Sequence, residues 1–482
     1  RTNVIGNFMS VDGTYNVEID SAFKGDLQSD YVENALNSGQ VVTLTEDYSL
    51  PEGSEGVAVF SGKTSVLNLN GKKFENRNGD KNNKAALQVR GMLTINGDGD
   101  VICEGGADNN AVLVEDGGHL IINGGTYYVE KDANGKSNST IYARKACTIE
   151  INGGVFSAEP NAEGKTPYVL NQADDLTVNC FSVKGGIFVG FNPADVNECH
   201  GKVTSFVAEG YRAVEITYEG KQAWKVEEIP AVTTHEDFNS AITSASAGVS
   251  ATIKLASNMT AVLDNGIANA DGKSDAEQAK RRNLTFIGDG TQTFDVITKS
   301  INAEGGMLNY QRGSSFTFKN MSIKAGEGNF DGVVCDELVY ENCTITGKLT
   351  LYGKATFVNC VFENTMANQY SIWTWGGTDV KFDKCTFNTN GKAILLYGQA
   401  TEAKPTNLIV TNCTLNDRKN GAAGKAAIEI GNDYNATYNL TISDCVINGF
   451  AEGKNTGSKT WANKNNMDAA HLSVTIDRVK IQ

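Results

Sequence analysis

Short apolar stretches in strict alternation with polar residues recur along the chain, separated by corners rich in glycine and asparagine. One unit returns as Leu67-Asn68-Leu69-Asn70-Gly71, Leu93-Thr94-Ile95-Asn96-Gly97, Leu120-Ile121-Ile122-Asn123-Gly124 and Ile149-Glu150-Ile151-Asn152-Gly153. A relaxed copy is Phe181-Ser182-Val183-Lys184-Gly185, and the asparagines at 70, 96, 123 and 152 advance by 26, 27 and 29 residues. Between the copies lies a second apolar stretch, at 57–60, 86–89, 111–114, 140–143 and 168–170. Strands this short bury an apolar face only by stacking on the next copy, which predicts a solenoid of β-rungs. Each rung then adds about 4.8 Å by parallel pairing, and asparagines at one corner of successive rungs form a hydrogen-bonded ladder.

The second half repeats this grammar with cysteine at the corner: Glu341-Asn342-Cys343-Thr344, Val358-Asn359-Cys360-Val361, Asp383-Lys384-Cys385-Thr386, Thr411-Asn412-Cys413-Thr414 and Ser443-Asp444-Cys445-Val446. An earlier copy, Lys319-Asn320-Met321-Ser322, carries methionine there. Two entries of helix followed by strand divide the chain. In the first, Asp30 is placed to cap a helix ending at Gly39; in the second, Thr234 is placed to cap one running through Ile242. Each helix would cover the open apolar end of a solenoid. A hairpin around Glu219-Gly220 closes the first unit, and Ile229-Pro230-Ala231 reads as the linker. The expected fold is all-β: two tandem right-handed parallel β-helices, residues 1–229 and 230–482, each with a short N-terminal capping helix.

Composition narrows the function. Forty-two Lys+Arg against 57 Asp+Glu give the 482-residue chain a net charge of −15. That balance disfavours nucleic acid and anionic membrane surfaces as partners. No apolar run approaches the roughly 18 residues of a membrane span, and the sequence opens at Arg1, as expected of a soluble chain or a trimmed ectodomain. Glycine (51) and asparagine serve the many corners, while only 6 prolines fit strands that donate hydrogen bonds on both sides.

The Ile151-Asn152-Gly153-Gly154 rungs, the Asn342-Cys343-Thr344 and Asn412-Cys413-Thr414 rungs, and the closing stretch from Phe191-Asn192-Pro193 to Trp224-Lys225-Val226 carry a resemblance. Both halves resemble right-handed parallel β-helices of the pectin-lyase-like superfamily, especially repeat-rich surface proteins of gut Bacteroidetes, over residues 30 to 482. The resemblance implies export and display outside the cell. It leaves activity open, because members range from polysaccharide lyases and hydrolases to adhesins and fibres.

The polygalacturonase pattern of Asn-Thr-Asp, Asp-Asp, Gly-His-Gly and Arg-Ile-Lys is incomplete. Asp174-Asp175 and Arg478-Val479-Lys480 resemble two pieces but fall in different solenoids, His200-Gly201 follows Cys199, and Asn388-Thr389-Asn390 lacks the acid. A lyase would need carboxylates for Ca²⁺ and a basic side chain near the substrate's α-proton. One turn of successive rungs offers Arg90, Glu115 with Asp116, Arg144 with Lys145, and Asp174 with Asp175. An exposed salt-bridge ladder accounts for the same alternation of sign. If the chain is an enzyme, Asp116, Arg144, Asp174 and Asp175 are its expected groups.

The segments Asp132-Ala133-Asn134-Gly135, Asn269-Ala270-Asp271-Gly272 and Asn96-Gly97-Asp98-Gly99-Asp100 begin like calcium loops, but none completes the twelve-residue pattern. Turn chemistry explains all three, so neither metal nor cofactor is expected, with Ca²⁺ the sole alternative. Four histidines and no CxxC pair disfavour zinc. The corner cysteines read as core residues, and Cys180 with Cys199 is the best disulfide candidate.

An aromatic column remains. Tyr352, Trp375 and Tyr397 recur at intervals of 23 and 22 residues, with Trp373 two places before Trp375 on the same strand face. Exposed, they would form a platform for sugar rings; core stacking is the alternative. Leu349 and Leu351 place Tyr352 outward, whereas Glu429 between Ile428 and Ile430 argues the opposite parity. The expected function is a non-enzymatic surface protein, an adhesin or glycan binder whose partner is a polysaccharide or host glycan. A lyase or hydrolase of acidic polysaccharide is the first alternative. A filament, fibre or surface-layer subunit is the second, suggested by the uncapped strand at 476–482.

Overall fold

A computed structural model describes residues 27–482 except 52, 78–80, 105, 131–137, 160–167, 198, 200, 263–281, 296–306, 310–313, 327–331, 399–403 and 432–434. The chain is an all-β solenoid protein in two compact units, Arg1–Ile229 and Pro230–Gln482. The possible calcium segments at 132–135 and 269–272, and His200, lie outside the described residues.

The first unit winds through three stacked sheets. One contains Thr64–Asn68, Met92–Asn96, His119–Ile122, Thr148–Ile151 and Phe181–Val183; a second contains Val57–Val59, Ala85–Val89, Asn110–Val114, Ser139–Ala143 and Tyr168–Gln172. A third, which the pattern did not single out, includes Lys72–Asn76, Gly99–Cys103, Thr126–Val129 and Val155–Ala158. All rung-to-rung pairing is parallel until the antiparallel hairpin Tyr211–Tyr218 and Lys221–Glu228 joins Ile187–Val189. Glu219 and Gly220 form its turn at φ 48° and 78°, the two left-handed conformations a two-residue hairpin of this twist requires.

The asparagine ladder is present one step out of the expected register. Asn152 donates to Asn123 at 2.9 Å, Asn123 to Asn96 at 2.8 Å, and Asn96 to Asn68 at 3.0 Å. Asn68, rather than Asn70, is the fourth member, because Leu67 pairs with Ile95. A two-residue slip keeps every side chain on its face, so alternation alone does not separate the registers. Asn70 instead turns the corner at φ 53°, its amide on the Leu44 carbonyl at 2.9 Å.

The second unit has two nine-stranded parallel sheets and a five-stranded one made of Leu349–Leu351, Ile372–Thr374, Ile394–Leu396, Ile428–Ile430 and Trp461–Asn463. Inside, Phe318, Tyr340, Phe357 and Phe382 stack with centroids 4.8–4.9 Å apart. Each such contact adds about 0.5–1.5 kcal/mol beyond burial. The corner column Met321, Cys343, Cys360, Cys385, Cys413, Cys445 is wholly buried. The residue before each sulfur is left-handed: Asn320 56°, Asn342 53°, Asn359 51°, Lys384 54°, Asn412 55°, Asp444 56°. Asparagine tolerates that conformation better than other side chains with a Cβ, which is why Asn-Cys recurs.

The helices cover the rung ends. In α1 (Leu27–Ser38), Val32, Ala35 and Leu36 are buried; in α2 (His235–Ser244), Phe238 and Ile242 are. Thr234 caps α2, accepting from the Asp237 amide at 3.1 Å and donating to its carboxylate at 2.8 Å. Asp30 is no cap: α1 starts three residues earlier, so it lies inside the helix.

Candidate functional site

In the first unit the expected catalytic groups do not assemble. Asp116, Arg144, Asp174 and Asp175 are all exposed. Arg144 pairs with Glu115, whose other oxygen takes Arg90. Glu115 is buried beneath the two guanidiniums, so the alternating column is a rung-to-rung ion ladder. A parallel ladder on the neighbouring sheet joins His119 to Glu150 at 2.9 Å and Lys184 to Glu150 at 3.4 Å, and these partners hold the Glu150 carboxyl below its ordinary range. Asp174 and Asp175 instead face Tyr142, whose phenol is pushed up first by burial and then by those two carboxylates.

Arg478, a piece of the incomplete hydrolase pattern, is a corner residue at φ 47° gripping Asp444 at 2.6 and 2.8 Å. It continues the column of residues preceding the corner cysteines. Among described cysteines there is no disulfide. Cys180 is hydrogen-bonded to Cys147, half-buried on the preceding rung, and that contact draws the Cys180 thiol down. Asn96 of the oxygen-rich 96–100 segment belongs to the asparagine ladder. Among the described residues, no three His, Cys, Asp or Glu side chains cluster as a metal site.

The second unit gathers what the sequence spread apart. In the five-stranded sheet, Leu349, Ile372, Ile394 and Ile428 form one core row, and Leu351, Thr374, Leu396 and Ile430 another. Between them, on the outer face, stand Thr350, Trp373, Leu395 and Glu429. Tyr352, Trp375 and Tyr397 follow the second core row and also face outward; all three are partly exposed. The parity conflict dissolves, because Glu429 belongs to the row of Trp373, and the position matching Tyr397 is Gly431. Trp375 and Tyr397 are parallel, 4.9 Å apart with 7° between planes. Trp373 lies 5.4 Å from Tyr397 and 6.4 Å from Trp375, and Tyr352 stands one rung earlier in the column.

Thr350, Leu395 and Glu429 of the outer row are buried although they face away from the core, and Trp373 is partly so. Glu429 is 2% exposed. Its carboxylate accepts from the Tyr370 hydroxyl and from Lys425 at 3.1 Å. Burial raises its pKa, while Lys464 and Lys454 pull it back. Lys392 lies 5.3 Å over the Tyr370 ring, and its Nζ donates to the Asn368 carbonyl at 2.9 Å. Lys348, fully buried, places its ammonium 4.0 Å over Trp373. The sequence reading missed Tyr370, Lys392, Lys425 and Glu429. A usable signal was the lysine placed one to three residues before most outer strands, at Lys348, Lys392, Lys425 and Lys459. The arrangement offers flat rings, ammonium groups and a sealed carboxylate on one face.

A scan against protein-family models finds no match, and a search of the curated proteins finds no relative.

Proposed function

We propose that this chain is an exported, non-enzymatic surface protein of the pectin-lyase-like kind that binds glycans through the outer face of its second unit. The observation that carries the reading is the parallel, partly exposed Trp375–Tyr397 pair with Trp373 beside it. Rings fixed at rung spacing present apolar faces to the C–H faces of sugars at little conformational cost. Turnover is disfavoured by the placement of the first unit's groups: Arg144 is committed to Glu115, and Asp116 stands apart in solvent. In the second unit the Glu429 carboxylate is sealed under Tyr370 and Lys425 rather than presented to a substrate.

The test is a binding screen of the full chain against host and dietary glycans, with W375A and Y397A as variants. Each is expected to weaken binding roughly tenfold, about 1.4 kcal/mol. Unchanged affinity in both would remove the aromatic platform. Release of unsaturated sugar product by the wild-type chain, abolished in R144A, would replace binding with lyase activity.

A further inference from the structure

The aromatic column does not end in more rings. The Gly431 amide bonds to the Leu396 carbonyl and the Lys464 amide to the Ile430 carbonyl, so the corner column reads Tyr352, Trp375, Tyr397, Gly431, Lys464. Lys464 therefore stands two rungs, about 10 Å, beyond Tyr397 along the solenoid axis. Lys464 and Lys454 both lie close enough to repel Lys425, and Lys425 and Lys464 close enough to repel Lys392. Burial lowers the Lys392 and Lys425 ammoniums first, and this mutual repulsion lowers them further. The Glu429 carboxylate accepts from Lys425 and lies within reach of Lys464 and Lys454. A chain of net charge −15 has concentrated positive charge beside its exposed rings.

We infer that the ligand of this face is an anionic glycan lying along the solenoid axis, its sugar rings on Trp375 and Tyr397 and its sulfate or carboxylate groups against Lys464, Lys454 and Lys425. The inference rests on the glycan-binding reading above. Lysine is a compact, rotatable point charge, suited to anionic groups that need no bidentate fork. A polyanion would relieve the repulsion at Lys392 and Lys425 in the free protein. Several lysines gathered on one face engage repeated anionic groups of one chain together, so such a chain gains more than a single ion does.

The experiment measures affinity of the full chain for four probes of matched length: a sulfated glycosaminoglycan oligosaccharide, its desulfated uronate-bearing counterpart, a neutral xylan oligosaccharide and a single-stranded oligonucleotide. It uses wild type, K454M/K464M, K454R/K464R and W375A at 50 and 500 mM salt. Expected are binding of at least one anionic probe over the neutral one by tenfold or more, and a loss of similar size in K454M/K464M. The arginine pair should retain binding, and high salt should weaken it. The sulfated and uronate probes distinguish the two sources of charge. A neutral probe that binds as well, unaffected by salt or by K454M/K464M, would overturn the inference while leaving the glycan reading intact. No binding of any glycan would overturn both. A single-stranded oligonucleotide held more tightly than every glycan would also overturn it, since stacking rings and lysines suit that ligand too.

Discussion

The hydroxyl of Tyr370 donates to Glu429, 59 residues further along the chain, and thereby ties a loop of one rung to the outer face of a strand two rungs away. Lys425 holds the other carboxylate oxygen at 3.1 Å. A carboxylate this buried depends on both donors. Tyr370→Phe removes one and is expected to cost about 2 kcal/mol, the scale of a hydrogen bond to a charged group. Urea denaturation measures it, and a cost below a few tenths would mean that the loop is held elsewhere.

The same carboxylate has a signed pH dependence. Burial raises its pKa above the ordinary 4.5, so the folded chain keeps the Glu429 proton to higher pH than the unfolded chain. Where the folded state binds more protons, stability falls as pH rises. Glu429 therefore contributes most below pH 4.5, loses that contribution as pH climbs to its raised value, and is level above. Glu429→Gln lacks the titration. Its melting temperature relative to wild type should increase between pH 4 and pH 7, and a constant difference would show that the carboxyl is not raised.

Trp373 and Trp375 are expected to part company. Trp373 covers the buried Lys348 ammonium at 4.0 Å, so Trp373→Ala should cost about 2–3 kcal/mol of stability by opening a covered polar site. Trp375 lies at the strand's end and stacks on Tyr397. Trp375→Ala should cost about 1 kcal/mol while weakening glycan binding roughly tenfold. Thermal melts and binding measured on both variants decide it; equal stability losses would refute the division.

The rungs were legible because a strand's two-residue period and the Asn-Gly and Asn-Cys corners are local properties of sequence. Register was less so: Asn68 and Asn70 have the same facing, and only the pairing of Leu67 with Ile95 chooses between them. The outer-face cluster was hidden for a different reason. Tyr370, Lys392 and Lys425 sit in loops of unequal length, so their spacing has no period, and Glu429 looks like a misplaced core residue until its loops are in place. The aromatic column was visible because Trp375 and Tyr397 occupy equivalent corners, whereas which side they faced depended on matching Glu429 to the right row.

Cysteine chemistry should follow position rather than number. All ten thiols are free, and nine are buried. Burial pushes Cys103 and Cys335 up to about 12, and thiol–thiol contacts in the ladder push Cys360, Cys385 and Cys413 to about 12. Cys180 alone in the first unit is drawn down, by its contact with Cys147. The same contact pushes the Cys147 thiol up, so iodoacetamide on the native protein at pH 8 should label Cys180 ahead of every other thiol, and in urea all ten, as read by peptide mass spectrometry. Native labelling of Cys385 or Cys413 would show the second solenoid opening under ordinary conditions.

Lys384 is a weak corner of that solenoid. It holds φ 54° where rungs before and after it use Asn359 and Asn412. A residue with a Cβ other than asparagine or aspartate in this conformation costs roughly 1–2 kcal/mol. The lysine also interrupts the amide ladder: Asn359 donates to Asn342 at 2.8 Å, but Asn412 reaches sideways to Asp383 at 2.8 Å. Lys384→Asn should relieve the strain and supply an amide between its neighbours, stabilising the unit by about 1 kcal/mol. Lys384→Gly should gain less, since glycine relieves the strain but loses about 0.5–1 kcal/mol of chain entropy. Lys384→Val should be destabilised relative to wild type, because a β-branched side chain is poorly accommodated at positive φ. The side chain is exposed, so burial changes little across the series and the order Asn, Gly, Lys, Val reports the backbone. Urea midpoints in any other order, with valine as stable as asparagine, would show that the corner conformation is not what selects these residues.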